Sequence, residues 1–116
     1  MGNEKVFSMD FSKVYSMLIK KAERKGRTKE EVFAVTQWLT GYSPEQLEAL
    51  LEGDMDYGTF FKEAPRMNPD RKLIKGSVCG VRVEEIEDPL MQEIRYLDKL
   101  VDELAKGYSI DRILRN

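Results

Sequence analysis

Apolar residues recurring at steps of three and four constrain this chain more than any other feature of its sequence. Phe11, Val14, Tyr15, Leu18, Ile19 and Ala22 fall on one face of a helix. Asp10 stands where an N-cap belongs, and Gly26 stands where such a helix ends. A second start is written at Thr28-Lys29-Glu30-Glu31, where hydroxyl and carboxylate would each satisfy a free backbone N–H. Behind it Val32, Val35, Thr36 and Leu39 make an inner stripe, flanked by Phe33 and Trp38. Thr40-Gly41-Tyr42 breaks the pattern and Ser43-Pro44-Glu45-Gln46 restarts it, with Leu47, Leu50 and Leu51 facing inward until Gly53. Tyr57, Phe60, Phe61 and Ala64 form a short stripe closed by Pro65. Asn68-Pro69 signals one more helical turn, carrying Leu73 and Ile74 and ending at Gly76. Asp88-Pro89 opens the longest helix. Its stripe of Leu90, Ile94, Leu97, Val101 and Leu104 ends near Lys106, with Gly107 as C-cap. Ser109 caps a final turn holding Ile110, Ile113 and Leu114.

The expectation is an all-α or mainly α protein. It is a compact bundle of about five to seven short helices plus one long C-terminal helix, with residues 1–116 as a single domain. One segment, residues 77–83, stands outside the helical pattern. Period two places Cys79, Val81 and Val83 on one face, with Arg82 and Glu84 on the other. A helical period aligns Cys79, Val83, Ile86 and Leu90 instead. Glycines at 76 and 80 and Pro89 weigh against the helix, and the lack of a clear partner strand weighs against a sheet. Val6 to Met9 offers at most a minor ribbon. The segment is therefore expected to be extended or irregular.

Composition narrows the function. Among 116 residues, 41% are hydrophobic and 34% charged, enough to bury a core and too apolar for disorder. A net charge of −2 provides no global attraction to nucleic acid or an anionic membrane. No apolar run approaches the roughly 20 residues that cross a bilayer. MGNEKVFSMD lacks a signal-peptide core, and Val6 stands where a myristoylation motif carries Ser or Thr. A cytoplasmic location without membrane partners is expected. A single cysteine excludes an intramolecular disulfide. The absence of histidine removes the usual general base and the commonest transition-metal ligand. Ser-His-Asp, Cys-His and ordinary zinc sites cannot be built from this chain alone. Neither a metal nor a cofactor is expected.

Four segments invite a functional reading. Residues 28–52 have the outline of a helix-turn-helix, but Glu45, Glu48, Glu52, Asp54 and Asp56 would repel phosphates. KKAERKGRTK, residues 20–29, gathers Lys20, Lys21, Arg24, Lys25, Arg27 and Lys29 against Glu23 alone. RNA or an acidic partner is what such a patch would take, although no aromatic interleaves to stack bases and cations suit a helix C-terminus anyway. In GSVCGVRVEEIEDP, residues 76–89, Cys79 has Lys75 and Arg82 nearby in sequence, the setting that activates a thiol. Its apolar neighbours Val78, Val81 and Val83 favour a buried, structural cysteine at a bend. Glu84, Glu85, Glu87 and Asp88 offer oxygen ligands to a hard cation but lack the glycine and alternation of a calcium loop. Asp88 as a helix cap is the simpler account.

Several segments together carry a resemblance. WLTGYSPEQLEALLE, FFKEAPRMNPDRKLIKG, VCGVRVEEIEDPLMQEIRYLDKLVDELAKG and the closing RILR resemble the bacterial family named domain of unknown function 2200. The likeness runs from KVFSMDFSKVY onward and departs at Tyr108-Ser109, where a more basic segment is expected. The resemblance implies a small, helical, single-domain cytosolic bacterial protein. It implies no activity, cofactor or catalytic residue.

The leading expectation is a non-catalytic protein-interaction module whose partner is another protein or a second copy. Its surface would be the long helix, or an aromatic groove near Trp38, Tyr42, Phe60 and Phe61. The alternative is a small-ligand-binding protein or enzyme using the Gly76–Gly80 turn. There Cys79 would be nucleophile, Arg82 would orient an anion, and Glu84 or Glu85 would move protons. RNA binding through Lys20, Lys21, Arg24, Lys25 and Arg27 is the weaker third.

Overall fold

The computed structural model describes residues 2–115. Seven α-helices are found among the described residues: α1 (Gly2–Phe7), α2 (Phe11–Arg24), α3 (Lys29–Thr40), α4 (Pro44–Leu51), α5 (Tyr57–Lys62), α6 (Pro89–Ala105) and α7 (Ile110–Ile113). Two 3-10 turns, Pro69–Leu73 and Val83–Glu85, and a hairpin of β1 (Ser77–Val78) with β2 (Val81–Arg82) join α5 to α6. The protein is mainly α, as expected.

Capping chemistry decides where most of these helices begin. Thr28 accepts from the Glu31 N–H while the Glu31 carboxylate accepts from the Thr28 N–H. Ser43 and Gln46 form the same reciprocal pair at α4. Asp88 caps α6, accepting from the N–H groups of Leu90 and Met91 at 3.0 Å each. Asp10 departs from expectation, since its side chain makes no cap bond. The start of α2 is held by main chain instead: Phe11 N–H donates to Met55 O, and Tyr57 N–H to Met9 O. These bonds tie α2 to the start of α5. Val6 and Phe7 belong to α1, so no ribbon forms there.

The long helix α6 is the centre of the molecule. It packs on α2, α3, α5, α7 and the hairpin. Met91, Ile94, Tyr96, Leu97, Leu100, Val101 and Leu104 are all buried along it. Each fully buried leucine contributes roughly 1.5–3 kcal/mol, so this helix is a major source of stability. The apolar stripe of α6 is thus part of the protein's own core, covered by neighbouring elements of the same chain.

The aromatic groove is corrected. Tyr42, Phe60 and Phe61 are buried in the core. Phe11 stacks on Phe60 at 4.1 Å between ring centroids, Tyr42 on Phe60 at 4.5 Å and Phe11 on Tyr15 at 4.8 Å. The Tyr42 hydroxyl donates to Phe60 O at 2.7 Å, and the Tyr15 and Thr36 hydroxyls are bonded at 2.6 Å. With their polar tips satisfied inside, these rings bury fully. Trp38 stays half-buried at the edge of a small cleft with Gln37, Gly41, Arg66, Asn68 and Pro69.

Candidate functional site around the hairpin

Residues 77–82 form a hairpin folded back on itself, which explains why no partner strand is visible elsewhere in the sequence. Ser77 pairs with Arg82 and Val78 with Val81, leaving Cys79-Gly80 as a two-residue turn. Both turn residues have positive φ, 53° at Cys79 and 79° at Gly80, as a type I′ turn requires. The turn also inverts the expected faces. Val78 and Val83 point into the core, whereas Val81 is 42% exposed.

Cys79 is exposed at the tip, so the expectation of a buried cysteine is corrected. A tight turn projects its central residues away from the packed ladder, whatever their polarity. Arg82 and Glu84 do not gather around the thiol as a catalytic set. The Arg82 fork donates to Glu84 at 3.1 and 2.9 Å and lies 3.7 Å from Glu85. Glu84 in turn accepts from the Gly76 N–H at 3.0 Å, bracing the hairpin base. That N–H above all, with the Arg82 guanidinium adding to it, holds the Glu84 carboxyl down at about 2. A carboxylate so held is a poor proton carrier near neutral pH.

Beside the hairpin lies a cleft of about 450 Å³, lined by Asn3, Val81, Ile86, Glu87, Asp88, Met91 and Arg95. Val81, Ile86 and Met91 form its apolar wall. Glu87 and Asp88 stand on the lip, and Asn3 of α1 reaches Asp88 at 3.5 Å. Arg95 is paired with Asp98 at 2.8 Å. Burial pushes the Asp98 carboxyl up despite that pairing. Tyr57 lies nearby in the electrostatic field of this pair, its hydroxyl buried with no hydrogen-bond partner among the described residues. Burial raises that hydroxyl far above its usual range.

Sequence reasoning singled out the segment as a candidate site but foresaw neither its hairpin nor the cleft beside it. Asp88, Met91 and Arg95 follow one another at steps of three and four, a signal that α6 turns them to one side. Asn3 gave no such signal, because nothing in the sequence locates α1 against α6. Among the described residues no group of three or more acidic or cysteine side chains is placed to hold a metal ion.

The basic segment is partly consumed within the fold. Lys21 pairs with Asp102 at 3.4 Å and Lys29 with Glu48 at 2.8 Å. Arg27 bonds both Glu31 oxygens, at 3.1 and 2.8 Å, and the carbonyls of Leu104 and Tyr108 at 3.1 and 2.7 Å. Lys20, Arg24 and Lys25 remain exposed for an external anion.

Among the described residues no helix is long and apolar enough to cross a membrane. No curated protein matches the chain. A solved structure titled "Crystal structure of uncharacterized protein SP1917" is similar to it, with a TM-score of 0.92 and 54% identity over 96% of this chain and 91% of the other. The model of a family described as uncharacterized protein conserved in bacteria (DUF2200) matches residues 5–115, and the chain belongs to that family.

Proposed function

We propose that the protein is a non-catalytic, cytoplasmic binding module whose working surface is the hairpin and the cleft beside it. Its partner is a protein segment with a bulky apolar side chain next to a lysine or arginine. The observation carrying this reading is the wall of Val81, Ile86 and Met91, open at Val81 and rimmed by Glu87 and Asp88. An apolar centre with a polar rim is the anatomy of a protein-binding patch. Glu87 on the lip selects a cation, since Asp88 is occupied in capping α6 and Arg95, the cleft's own positive charge, is spent on Asp98. The catalytic alternative has less support, because Glu84 and Arg82 are engaged with each other and with the hairpin base.

Selection from a displayed library of random peptides, under reducing conditions, tests this reading. The enriched sequences should pair a basic residue with a large apolar one. Their affinity should fall tenfold or more with Val81→Asp and with Glu87→Lys. Peptides that bind both variants as well as the parent would remove the cleft from consideration. An enzymatic activity lost in Cys79→Ser would restore the catalytic alternative.

A further inference from the structure

The hairpin cleft carries one positive charge, and the group that cancels it lies outside the cleft. Arg95 lines the cleft, with its side chain 25% exposed. Its Nη1 donates to the Asp98 carboxylate at 2.8 Å, and this guanidinium finds no other hydrogen-bond partner among the described residues. Arginine has five N–H donors in a planar fork, so most of that fork is left over. Asp98 stands about one turn further along α6, is not part of the lining and is only 13% exposed. A ligand in the cleft therefore meets Arg95 but does not reach Asp98.

The remaining charges settle the sign of the cleft. Asp88 caps α6, where the helix dipole offsets its charge. Glu87 is exposed and enters no ion pair among the described residues. Lys21 of α2 is the other cation in the field of Asp98, but it pairs with Asp102 at 3.4 Å and is not part of the lining. Tyr57 of α5 shares that field, with its hydroxyl held neutral by burial. With Arg95 cancelled by Asp98, the acid on the lip decides which partner charge is favoured.

We infer that Asp98 determines the specificity of the cleft: by cancelling Arg95 from behind, it makes the cleft choose a basic partner over an acidic one. This role rests on the binding function proposed above and adds what sets the partner's charge. Without Asp98, the unopposed fork offers paired bonds to a carboxylate, the geometry that suits arginine best. It also repels the basic side chain that Glu87 attracts. Neutralising Arg95 as well returns the cleft to its original balance. Burial already pushes the Asp98 carboxyl up, so an uncharged asparagine of the same shape is tolerated there.

The displayed library of random peptides, applied to the parent and to charge variants, tests this role. Basic, apolar peptides selected by the parent should bind Asp98→Asn roughly tenfold more weakly, because a close like charge is then unopposed. They should bind Asp98→Asn/Arg95→Gln within roughly threefold of the parent. Such a rescue is not expected of a pair that is merely structural. Asp98→Asn/Glu87→Gln, in which Arg95 is left unopposed, should instead enrich peptides that join a carboxylate to a bulky apolar residue. Arg95→Gln alone should bind the basic peptides more tightly than the parent, and it reads the pair even where an Asp98 variant is unstable. Circular dichroism matching the parent's shows that each variant is folded. Unchanged affinity in Asp98→Asn, no recovery in the double variant with Arg95, or no gain in Arg95→Gln would overturn the role of Asp98 and leave the binding function standing. A parent that enriches no basic, apolar peptide would remove the binding function, and the role of Asp98 with it.

Discussion

Cys79 shows how a residue's role follows from its backbone rather than its chemistry. At φ 53° it occupies a left-handed conformation that β-carbons resist, in the first central position of a type I′ turn. That position prefers asparagine. Cys79→Asn should therefore raise stability by up to about 1 kcal/mol in urea unfolding, whereas Cys79→Val should lower it. Cys79→Ser should change it by less than about 0.5 kcal/mol, as for other exposed positions. A thiol reagent should label the native protein as fast as the unfolded chain. Slow labelling would mean that the tip is covered. Cys79, Arg82 and Glu84 were legible as neighbours in sequence, and period two set Cys79 on the face opposite the other two, but it gave no sign that Cys79 forms the tip of a turn. The turn itself reverses which face each side chain takes.

At the scale of elements, the hairpin depends on one carboxylate. Glu84 accepts from Gly76 N–H and from Arg82, and its pKa falls to about 2 as a result. A depressed carboxylate stabilises the fold fully above its unfolded pKa, near 4.5, and loses that contribution as pH falls toward 2. The parent should thus melt higher than Glu84→Gln at pH 6. That gap should shrink between about pH 4.5 and 2 and vanish below. A gap constant down to pH 2 would refute the brace. The helices from α2 onward were legible, because a cap and a 3.6-residue period involve residues within a few positions of each other. Thr28 with Glu31 and Ser43 with Gln46 are such cases. Asp10 also read as an N-cap in sequence, yet the start of α2 is held by main-chain bonds to Met55 and Tyr57, some 45 residues on.

Across the whole molecule, Arg27 joins parts of the chain that no local pattern connects. Its guanidinium sits in the turn after α2, fixed by Glu31, and bonds the carbonyls of Leu104 and Tyr108 at the far end of α6. The last carbonyls of a helix lack intrahelical partners, so this arginine closes α6 from another element. Arg27→Ala should lower stability by roughly 2 kcal/mol. Arg27→Lys should recover less than half of that, because an ammonium has no planar fork. Chemical denaturation of the two variants checks both. Equal stability of all three proteins would show that the clamp contributes nothing.

The sequence by itself determined the helices from α2 onward, most of their caps, the mainly α class and the lack of histidine to build a site from, since each rests on residue type or on bonds spanning a single turn. Tertiary structure decided what faces outward. It buried Tyr42, Phe60 and Phe61 in a stack reaching back to Phe11, turned Arg27 inward and put Cys79 at the surface. It also brought Asn3 to Asp88 and packed α2 against α4. The physical reason is range. Capping and helical period are satisfied within about four residues, whereas burial and ion pairing depend on contacts between segments tens of residues apart.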